Sequence, residues 1–202
     1  MKPKWVIFDV GKVLYNFGQF CADIAKLLGV EEETLLNQVN IQAKLGFRGE
    51  ISVEEHWRRV LTGINFEHKF REIMDIWNND SRYWLKDIRV LFRELKTAGY
   101  NLAILTNNWT NQTAFVRKAV SQFVDPEFVF ESAVLKMQKP EVQLFKYVEN
   151  KIAAKKQEIL YIDDSQEYLE GAKTLDWQTF LYKIGEDLGK TSNDLIRKEL
   201  LN

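Results

Sequence analysis

The sequence predicts a three-layer α/β fold, in which helices cover both faces of a parallel sheet and a helical cap is inserted after the first strand. Short apolar runs alternate with amphipathic helical patterns, which is typical of βαβ units. Residues 10–101 interrupt this alternation because they contain helical patterns but no convincing strand. The 202-residue length suits one compact domain that carries a smaller inserted one.

Five strands are predicted from short apolar runs. They are Val6–Phe8, Leu102–Leu105, Phe128–Phe130, Ile159–Ile162 and Thr179–Tyr182. The runs are too short for helices, and they are apolar enough to be buried on both faces, as the strands of a parallel sheet are.

Helices are predicted where apolar residues recur at i, i+3 and i+4. Four such patterns fall in the insertion: Cys21–Leu28, Leu35–Val39, His56–Leu61 and Phe70–Trp77. Ser52 and Glu55 predict a capping box before the third. Later helices are expected at Ile88–Leu95, Val142–Asn150 and Ser192–Leu200. We interpret residues 17–82 as a helical cap domain, and residues 1–16 and 83–202 as the α/β core domain.

Composition excludes several classes of protein. With 28 basic and 29 acidic residues the net charge is −1, so nothing predicts binding to nucleic acid or to an anionic membrane. No run approaches the ~20 apolar residues of a membrane span, and the N-terminus enters a strand too early for a signal peptide. The single cysteine, Cys21, excludes internal disulfides and a cysteine zinc site, and it is expected to be buried. We expect a cytoplasmic protein that is a monomer or a weak dimer.

Asp9 is the first candidate functional residue. It stands where the first strand ends and a glycine-containing turn begins. Ligands of open α/β sheets bind at the carboxyl ends of the strands. Asp9 is therefore a metal ligand, a nucleophile or the cap of the next helix.

The second strand ends in two small polar residues, Thr106 and Asn107. Such side chains, together with the backbone N–H groups of the following turn, can hydrogen-bond a bound anion. The alternative is an ordinary helix start, with Thr110 or Asn111 as the N-cap.

Lys139 and Pro140 come immediately before a predicted helix, and proline is common at the first helical position. The helix macrodipole disfavours a cation at this end, which suggests that Lys139 balances phosphate charge. The alternative is a solvated surface lysine.

Asp163 and Asp164 are adjacent carboxylates at the end of the fourth strand. They repel each other unless a cation, a donor network or a helix N-terminus compensates. A helix N-cap at Asp164 or Ser165 explains one carboxylate but not both. Beside Asp9, the pair would form an oxygen-rich site suited to Mg²⁺.

These four segments in this order resemble the haloacid dehalogenase (HAD) superfamily of hydrolases, in the branch with a helical cap after the first strand. The resemblance implies a Rossmann-like, HAD-like core. The chain is most similar to sugar-phosphate phosphatases such as bacterial α-glucose-1-phosphatase and the phosphatase domain of soluble epoxide hydrolase. The closer match rests on three stretches: Phe8-Asp9-Val10-Gly11, residues 48–55 and residues 103–107.

The resemblance implies an Mg²⁺-dependent phosphatase that hydrolyses a small, sugar-phosphate-like metabolite. Asp9 would be the nucleophile that forms an aspartyl-phosphate, with Lys139 assisting catalysis. The implied metal ligands are Asp9, the backbone carbonyl of Gly11, Asp163 and Asp164. The implied substrate-binding residues are Thr106, Asn107, Lys139 and Lys12.

Three residues depart from the family pattern. Gly11 stands where most family phosphatases have a second Asp, which acts as general acid and base. Lys12 replaces a small or amide residue, so it binds phosphate or projects into solvent. Lys136 replaces a glycine, and a positive φ there would be strained.

Two alternatives to the phosphatase function remain open. One is a phosphate-binding protein with little or no activity, and the other is a 2-haloacid dehalogenase.

Aromatic residues and histidines complete the set of candidates. Trp57, Trp77 and Trp84 are expected in the core, whereas Trp109 is a candidate for the pocket wall because it follows the Thr106–Asn108 turn. His56 and His68 are expected to be structural or exposed.

Overall fold

A single parallel sheet organises the part of the chain that the computed structural model describes, which is residues 2–79, 83–109 and 113–201. Its five strands have the order β3-β2-β1-β4-β5. Their bounds are β1 Trp5–Phe8, β2 Asn101–Thr106, β3 Val129–Glu131, β4 Ile159–Asp163 and β5 Gln178–Leu181. All five predicted strands are confirmed, with no end shifted by more than one residue.

Four helices, called here the inserted helices, lie between β1 and β2. They are α1 Phe17–Leu28, α2 Glu32–Phe47, α3 Val53–Gly63 and α4 Phe70–Asn79. The remaining helices are α5 Lys86–Thr97, α6 Thr113–Val120, α7 Ser132–Leu135, α8 Val142–Ile152, α9 Gln166–Lys173 and α10 Lys190–Leu200. The predicted cap boundary at Arg82 and the alternative N-caps Thr110 and Asn111 lie outside the described residues.

Local capping explains where helix α3 begins. The Ser52 hydroxyl accepts a hydrogen bond from the Glu55 backbone N–H at 3.2 Å, as the sequence predicts. The Glu55 carboxylate instead accepts a hydrogen bond from Arg59 Nε at 2.6 Å, one turn further along. The Ser52 half of the predicted capping box is therefore confirmed.

Helix α8 begins where the sequence predicts, directly after the segment that contains Lys139 and Pro140. Helix α8 begins at Val142, and its N-cap Glu141 has extended backbone angles, φ −60° and ψ 122°. Pro140 therefore belongs to the segment before the helix. That segment approaches the sheet edge and carries Lys139.

The core lies on both faces of the sheet because successive strand residues point to opposite faces. In β1, Val6 and Phe8 belong to one buried cluster and Ile7 to another. The cluster around Phe8 continues into the inserted helices, where Trp57 is fully buried. Cys21 is buried in the same cluster, and burial raises its pKa to about 12.

A helix that spans a membrane needs about 20 consecutive, mostly apolar residues. Within residues 2–79, 83–109 and 113–201, no helix combines the length and the apolar character that a membrane span requires.

Candidate active site

Strand register brings the predicted carboxylates together at one edge of the sheet. Strands β1 and β4 are parallel neighbours in which Ile7 pairs with Tyr161. Two residues further on, Asp9 and Asp163 therefore lie side by side. The Asp9 backbone N–H donates to the Ile162 carbonyl at 2.9 Å, which continues the pairing to this point.

Lys139 lies buried between these two carboxylates. Its Nζ is 2.7 Å from Asp9 Oδ1 and 2.7 Å from Asp163 Oδ2. Burial by itself lowers the pKa of Lys139, but the Asp163 and Asp9 carboxylates outweigh burial and hold the pKa above its ordinary value. The alternative interpretation of Lys139 as a solvated surface lysine is wrong.

Asn107 holds the backbone on which Lys139 is carried. Its Oδ1 accepts from the Lys139 backbone N–H at 2.9 Å, and its Nδ2 donates to the Lys139 carbonyl at 3.1 Å. Asn107 also lines the pocket, as does the buried Thr106. Asn107 therefore also positions Lys139, in addition to the substrate binding that is predicted for it.

The two adjacent aspartates have different surroundings. Asp163 is fully buried, and its Oδ2 accepts hydrogen bonds from Lys139 Nζ and the Tyr161 hydroxyl. Its Oδ1 accepts from the Ser165 backbone N–H at 2.8 Å. Asp164 is partly exposed and lines the pocket. Asp164 therefore presents the more accessible carboxylate, and Asp163 positions Lys139.

The donor set fits a hard divalent cation. Asp9, Asp163 and Asp164 each offer a carboxylate oxygen, and these oxygens lie within 4.8 Å of one another. Burial raises the pKa of Asp9 against the opposing effect of Lys139, and Asp163 and Asp164 raise it further. One buried ammonium does not fully neutralise the negative charge of these three carboxylates. Such a group of carboxylates is suited to Mg²⁺.

Gly11 adjoins the Asp9 carboxylate. A Cβ atom built at Gly11 would lie 3.8 Å from Asp9 Oδ2, and Gly11 lines the pocket. A side chain at this position would therefore point toward the oxygen that Lys139 does not contact. With glycine at this position, no side chain occupies that space.

Lys12 contacts the exposed aspartate. Its Nζ lies 3.8 Å from Asp164 Oδ2, and its side chain is 52% exposed. The backbone of Lys12 has φ 55°, in the left-handed region. Lys12 is thus at the pocket rim, where it lies against Asp164 and not against the nucleophile candidate Asp9.

The segment that carries Lys139 is tied on both sides to the turn between helices α2 and α3. Lys136 has φ 58°, which confirms the suspected left-handed position, and its Nζ donates to the Gly49 carbonyl at 3.0 Å. On the other side, Arg48 forms an ion pair with Glu141. The turn between α2 and α3 therefore contacts the loop that positions Lys139.

These groups line a pocket of about 300 Å³. Trp109 lines it, as predicted, and so do Trp77 and Trp84, which were expected only in the core. Trp57 is a core residue, as predicted. In the described residues, neither histidine lines this pocket.

Two tyrosines of the site were missed by sequence reasoning. The Tyr161 hydroxyl donates to Asp163, and the ring of Tyr168 lies 4.8 Å from Lys139 Nζ. Tyr161 stands two residues before Asp163, so strand periodicity placed it on the same face. Tyr168 lies in the first turn of α9, where its N–H is capped by Ser165 at 3.4 Å. Both signals were present in the sequence.

Comparison with known sequences gives the following matches. A family model described as haloacid dehalogenase-like hydrolase matches residues 6–181. Bifunctional epoxide hydrolase 2 of Rattus norvegicus is 33% identical over 95 residues, which are 44% of this chain and 17% of that protein. The Sus scrofa protein of the same name is 30% identical over 94 residues, again 44% of this chain and 17% of that protein. The match thus covers less than a fifth of these relatives.

Solved structures share the fold. A HAD family enzyme from Bacteroides thetaiotaomicron has a TM-score of 0.71 and 24% identity, covering 93% of this chain and 97% of that one. Its complex with magnesium and inorganic phosphate has a TM-score of 0.66 and 23% identity, over 92% and 96% of the two chains. L-2-haloacid dehalogenase from Xanthobacter autotrophicus, with chloropropionic acid covalently bound, has a TM-score of 0.69 and 14% identity, over 96% and 82%.

The family model spans every site residue described above, from Asp9 to Tyr168, and the parallel sheet carries Asp9, Lys139 and the two aspartates to one edge. This chain belongs to the haloacid dehalogenase-like hydrolase family.

Proposed function

We propose that this protein is an Mg²⁺-dependent phosphatase that hydrolyses a small phosphorylated metabolite through an aspartyl-phosphate on Asp9. The observation that carries the proposal is the cluster of Asp9, Asp163 and Asp164 around buried Lys139, beside a pocket. The magnesium and phosphate complex of the Bacteroides thetaiotaomicron enzyme supports it.

Asp9 performs the covalent step in this proposal. Its carboxylate oxygen bonds to phosphorus while the bond from phosphorus to the leaving oxygen breaks, and that oxygen takes a proton from water. Water then attacks phosphorus, which releases inorganic phosphate and restores the Asp9 carboxylate. Lys139 Nζ, 2.7 Å from Asp9 Oδ1, holds this carboxylate in place and offers positive charge to the phosphoryl oxygens.

Other residues support this step. Thr106 lines the pocket and would donate to a phosphoryl oxygen, and Asn107 fixes the Lys139 backbone. Mg²⁺ held by Asp9, Asp164 and the Gly11 carbonyl would neutralise phosphate charge and orient it for in-line attack. Asp163, with hydrogen bonds at both oxygens, positions Lys139.

The test is phosphate release from an aryl phosphate with and without EDTA. We expect activity that requires Mg²⁺ and that falls to background in Asp9→Asn. Asp125→Asn is the matched control, because Asp125 is exposed and outside the pocket. Turnover that persists in EDTA, or full activity of Asp9→Asn, would contradict the proposal.

A phosphate-binding protein with little or no activity is the second candidate. The contact of Lys12 Nζ with Asp164 Oδ2 favours it, because an ammonium beside this carboxylate competes with a metal ion. Thermal-shift titration with Mg²⁺ and beryllofluoride measures binding independently of turnover. Binding without turnover across a broad panel of phosphate esters would favour this candidate.

A 2-haloacid dehalogenase is the third candidate, favoured by the structural likeness to the Xanthobacter autotrophicus enzyme. Its chemistry does not require the second and third carboxylates that surround Asp9 here. Halide release from 2-chloropropionate is the direct assay, and we expect none above background.

A further inference from the structure

The pocket lining combines charged and polar groups with a large aromatic surface. The carboxylates and lysines at the edge of the sheet line it, with Thr106, Asn107 and Asn108 beside them. Five aromatic side chains, called here the aromatic wall, supply much of the apolar lining: Phe17, Phe47, Trp77, Trp84 and Trp109. A phosphoryl group bound at Asp9 therefore shares the pocket with aromatic surface that its leaving group can contact.

Four members of the aromatic wall form a continuous row. The Trp109 ring centroid is 5.1 Å from that of Phe47 and 5.9 Å from that of Trp77, and Trp77 is 6.2 Å from Phe17. Gly46 lies against Trp109 so closely that a Cβ there would be 1.9 Å from Trp109 Nε1. These contacts fix the orientation of the rings, so the row is a preformed apolar surface.

The inserted helices add little polarity to this surface. Within the described part of the chain, they contribute three side chains to the pocket lining, Phe17, Phe47 and Trp77, of which only Trp77 carries a polar group, its indole N–H. A sugar hydroxyl held against the rings of Phe17 and Phe47 would lose its water without gaining a partner, which costs free energy. A leaving group with many hydroxyls is therefore disfavoured against these rings.

The volume limits the size of the leaving group. The pocket holds about 300 Å³ in total, including the space beside Asp9. A cavity of ~150 Å³ is large enough for benzene. One phosphoryl group and one ring system therefore fill the pocket, whereas a long chain would extend out of it.

We propose that the substrate class is a phosphate monoester whose leaving group is a single aromatic or compact apolar ring, bound against the aromatic wall. This inference rests on the proposed phosphatase function and differs from the sugar-phosphate-like substrate expected from the sequence. It assigns specificity to Phe17, Phe47 and Trp77 of the inserted helices and to Trp84 and Trp109 of the core.

The test compares benzyl phosphate with glycerol 3-phosphate, since both release a primary alcohol and differ in the leaving group's surface. We expect kcat/KM at least ~10-fold higher for benzyl phosphate, since ring contacts of this kind add to area burial. Phe47→Leu should lower kcat/KM for benzyl phosphate by ~3- to 10-fold, mainly through KM, with little effect on glycerol 3-phosphate. Phe66→Leu is the matched control, because Phe66 is a partly buried phenylalanine outside the pocket.

A binding measurement separates this inference from the proposed function. With Mg²⁺ present, we expect benzylphosphonate to bind at least ~10-fold more tightly than methylphosphonate, and Phe47→Leu to reduce the difference. If no ester is hydrolysed but this preference is found, the phosphatase proposal fails and the pocket assignment stands. Equal phosphonate affinities, or preference for the hydroxylated ester, would overturn the assignment. Phe17→Leu replaces Phe47→Leu if the latter does not fold.

Discussion

At the scale of single residues, Lys139 stands out because its positive charge is buried between two carboxylates. Its ammonium is buried and lies 2.7 Å from one oxygen each of Asp9 and Asp163. Removing one partner from such a buried group leaves uncompensated charge, which is far more costly than losing a surface ion pair. The lysine is therefore expected to stabilise the metal-free fold as well as to serve the chemistry.

Lys139→Met is expected to lower the free energy of unfolding by about 3–5 kcal/mol in metal-free buffer, because it leaves two buried carboxylates without their ammonium. Lys12→Met is the control and should cost less than about 1 kcal/mol, since Lys12 is half exposed and 3.8 Å from Asp164. Urea unfolding measures both. If both variants lose the same small amount of unfolding free energy, the buried carboxylates of Asp9 and Asp163 do not need the Lys139 ammonium for stability.

Gly11→Asp tests whether the missing second carboxylate limits turnover. A Cβ at this position meets only Asp9 Oδ2, at an ordinary 3.8 Å, so the side chain can be accommodated. We expect the rate for a primary-alcohol phosphate to rise, at most near the lower end of the ~10²–10⁴-fold range of general acid catalysis. Aryl phosphates should change less, because their oxygen leaves without a proton.

Two controls accompany this variant. Lys12→Ala, alone and with Gly11→Asp, tests whether Lys12 already stabilises the leaving group, in which case the new carboxylate pairs with it and slows every substrate. Equal small changes for both substrate types would show that the chemistry is not limited at this position.

His56 makes the stability depend on pH. Burial lowers its pKa from 6.5 to about 4, with a smaller opposing effect of the Gln42 backbone. Below pH 6.5 the unfolded chain binds a proton that the folded state does not, so the free energy of unfolding falls as pH falls toward 4. This residue alone accounts for about 2 kcal/mol between pH 7.5 and pH 5.

Urea unfolding at these two pH values checks the effect. His56→Gln should reduce the loss of stability by this amount, and His68→Gln, the same substitution at an exposed histidine, is the control. An unchanged pH dependence in His56→Gln would show that the histidine is not held neutral in the folded state.

At the scale of elements, Trp109 joins the end of β2 to helix α2 through close packing on Gly46. A Cβ at Gly46 would lie 1.9 Å from Trp109 Nε1, so the helix or the ring would have to move. We expect Gly46→Ala to lower the free energy of unfolding by about 1–3 kcal/mol, the usual cost of overpacking. Weaker binding of phosphate esters should accompany it, because Trp109 lines the pocket.

Gly18→Ala is the control for this substitution. Gly18 is also helical, but its nearest neighbour would be Asn16 Oδ1 at 3.8 Å. Alanine is the better helix former, so this change should be neutral or stabilising by up to about 1 kcal/mol. Urea unfolding of both variants decides the matter, and a loss at Gly18 as large as at Gly46 would contradict the packing argument.

The elements were largely predictable because strand and helix periodicities are local properties of the sequence. All five strands and the four inserted helices were predicted. The start of helix α8 at Val142, after Pro140, was predicted as well. The ties from Lys136 to Gly49 and from Arg48 to Glu141 were missed, since they join segments far apart in the chain.

At the scale of the whole molecule, the parallel sheet determines which residues meet. The four predicted segments end neighbouring strands or approach their ends, so chain order and topology were enough to gather Asp9, Lys139, Asp163 and Asp164. Their individual roles required side-chain geometry. Asp163 hydrogen-bonds through both oxygens and Asp164 is open to the pocket, a difference that two identical adjacent residues cannot reveal in sequence.

The inserted helices and the sheet edge together define what the site accepts. The charged groups of the pocket suit a phosphoryl group, and the aromatic wall suits a compact ring. Hydrolysis, as distinct from binding, depends on the covalent step assigned to Asp9, which is the central claim.

The most direct test of that claim is the mass of the protein after rapid acid quenching during turnover of a phosphate ester with Mg²⁺. We expect one phosphoryl group on the chain, located by peptide mapping on the peptide that contains Asp9, and absent from Asp9→Asn. Steady turnover without a phosphorylated Asp9, or with the phosphoryl group on another residue, would contradict the account.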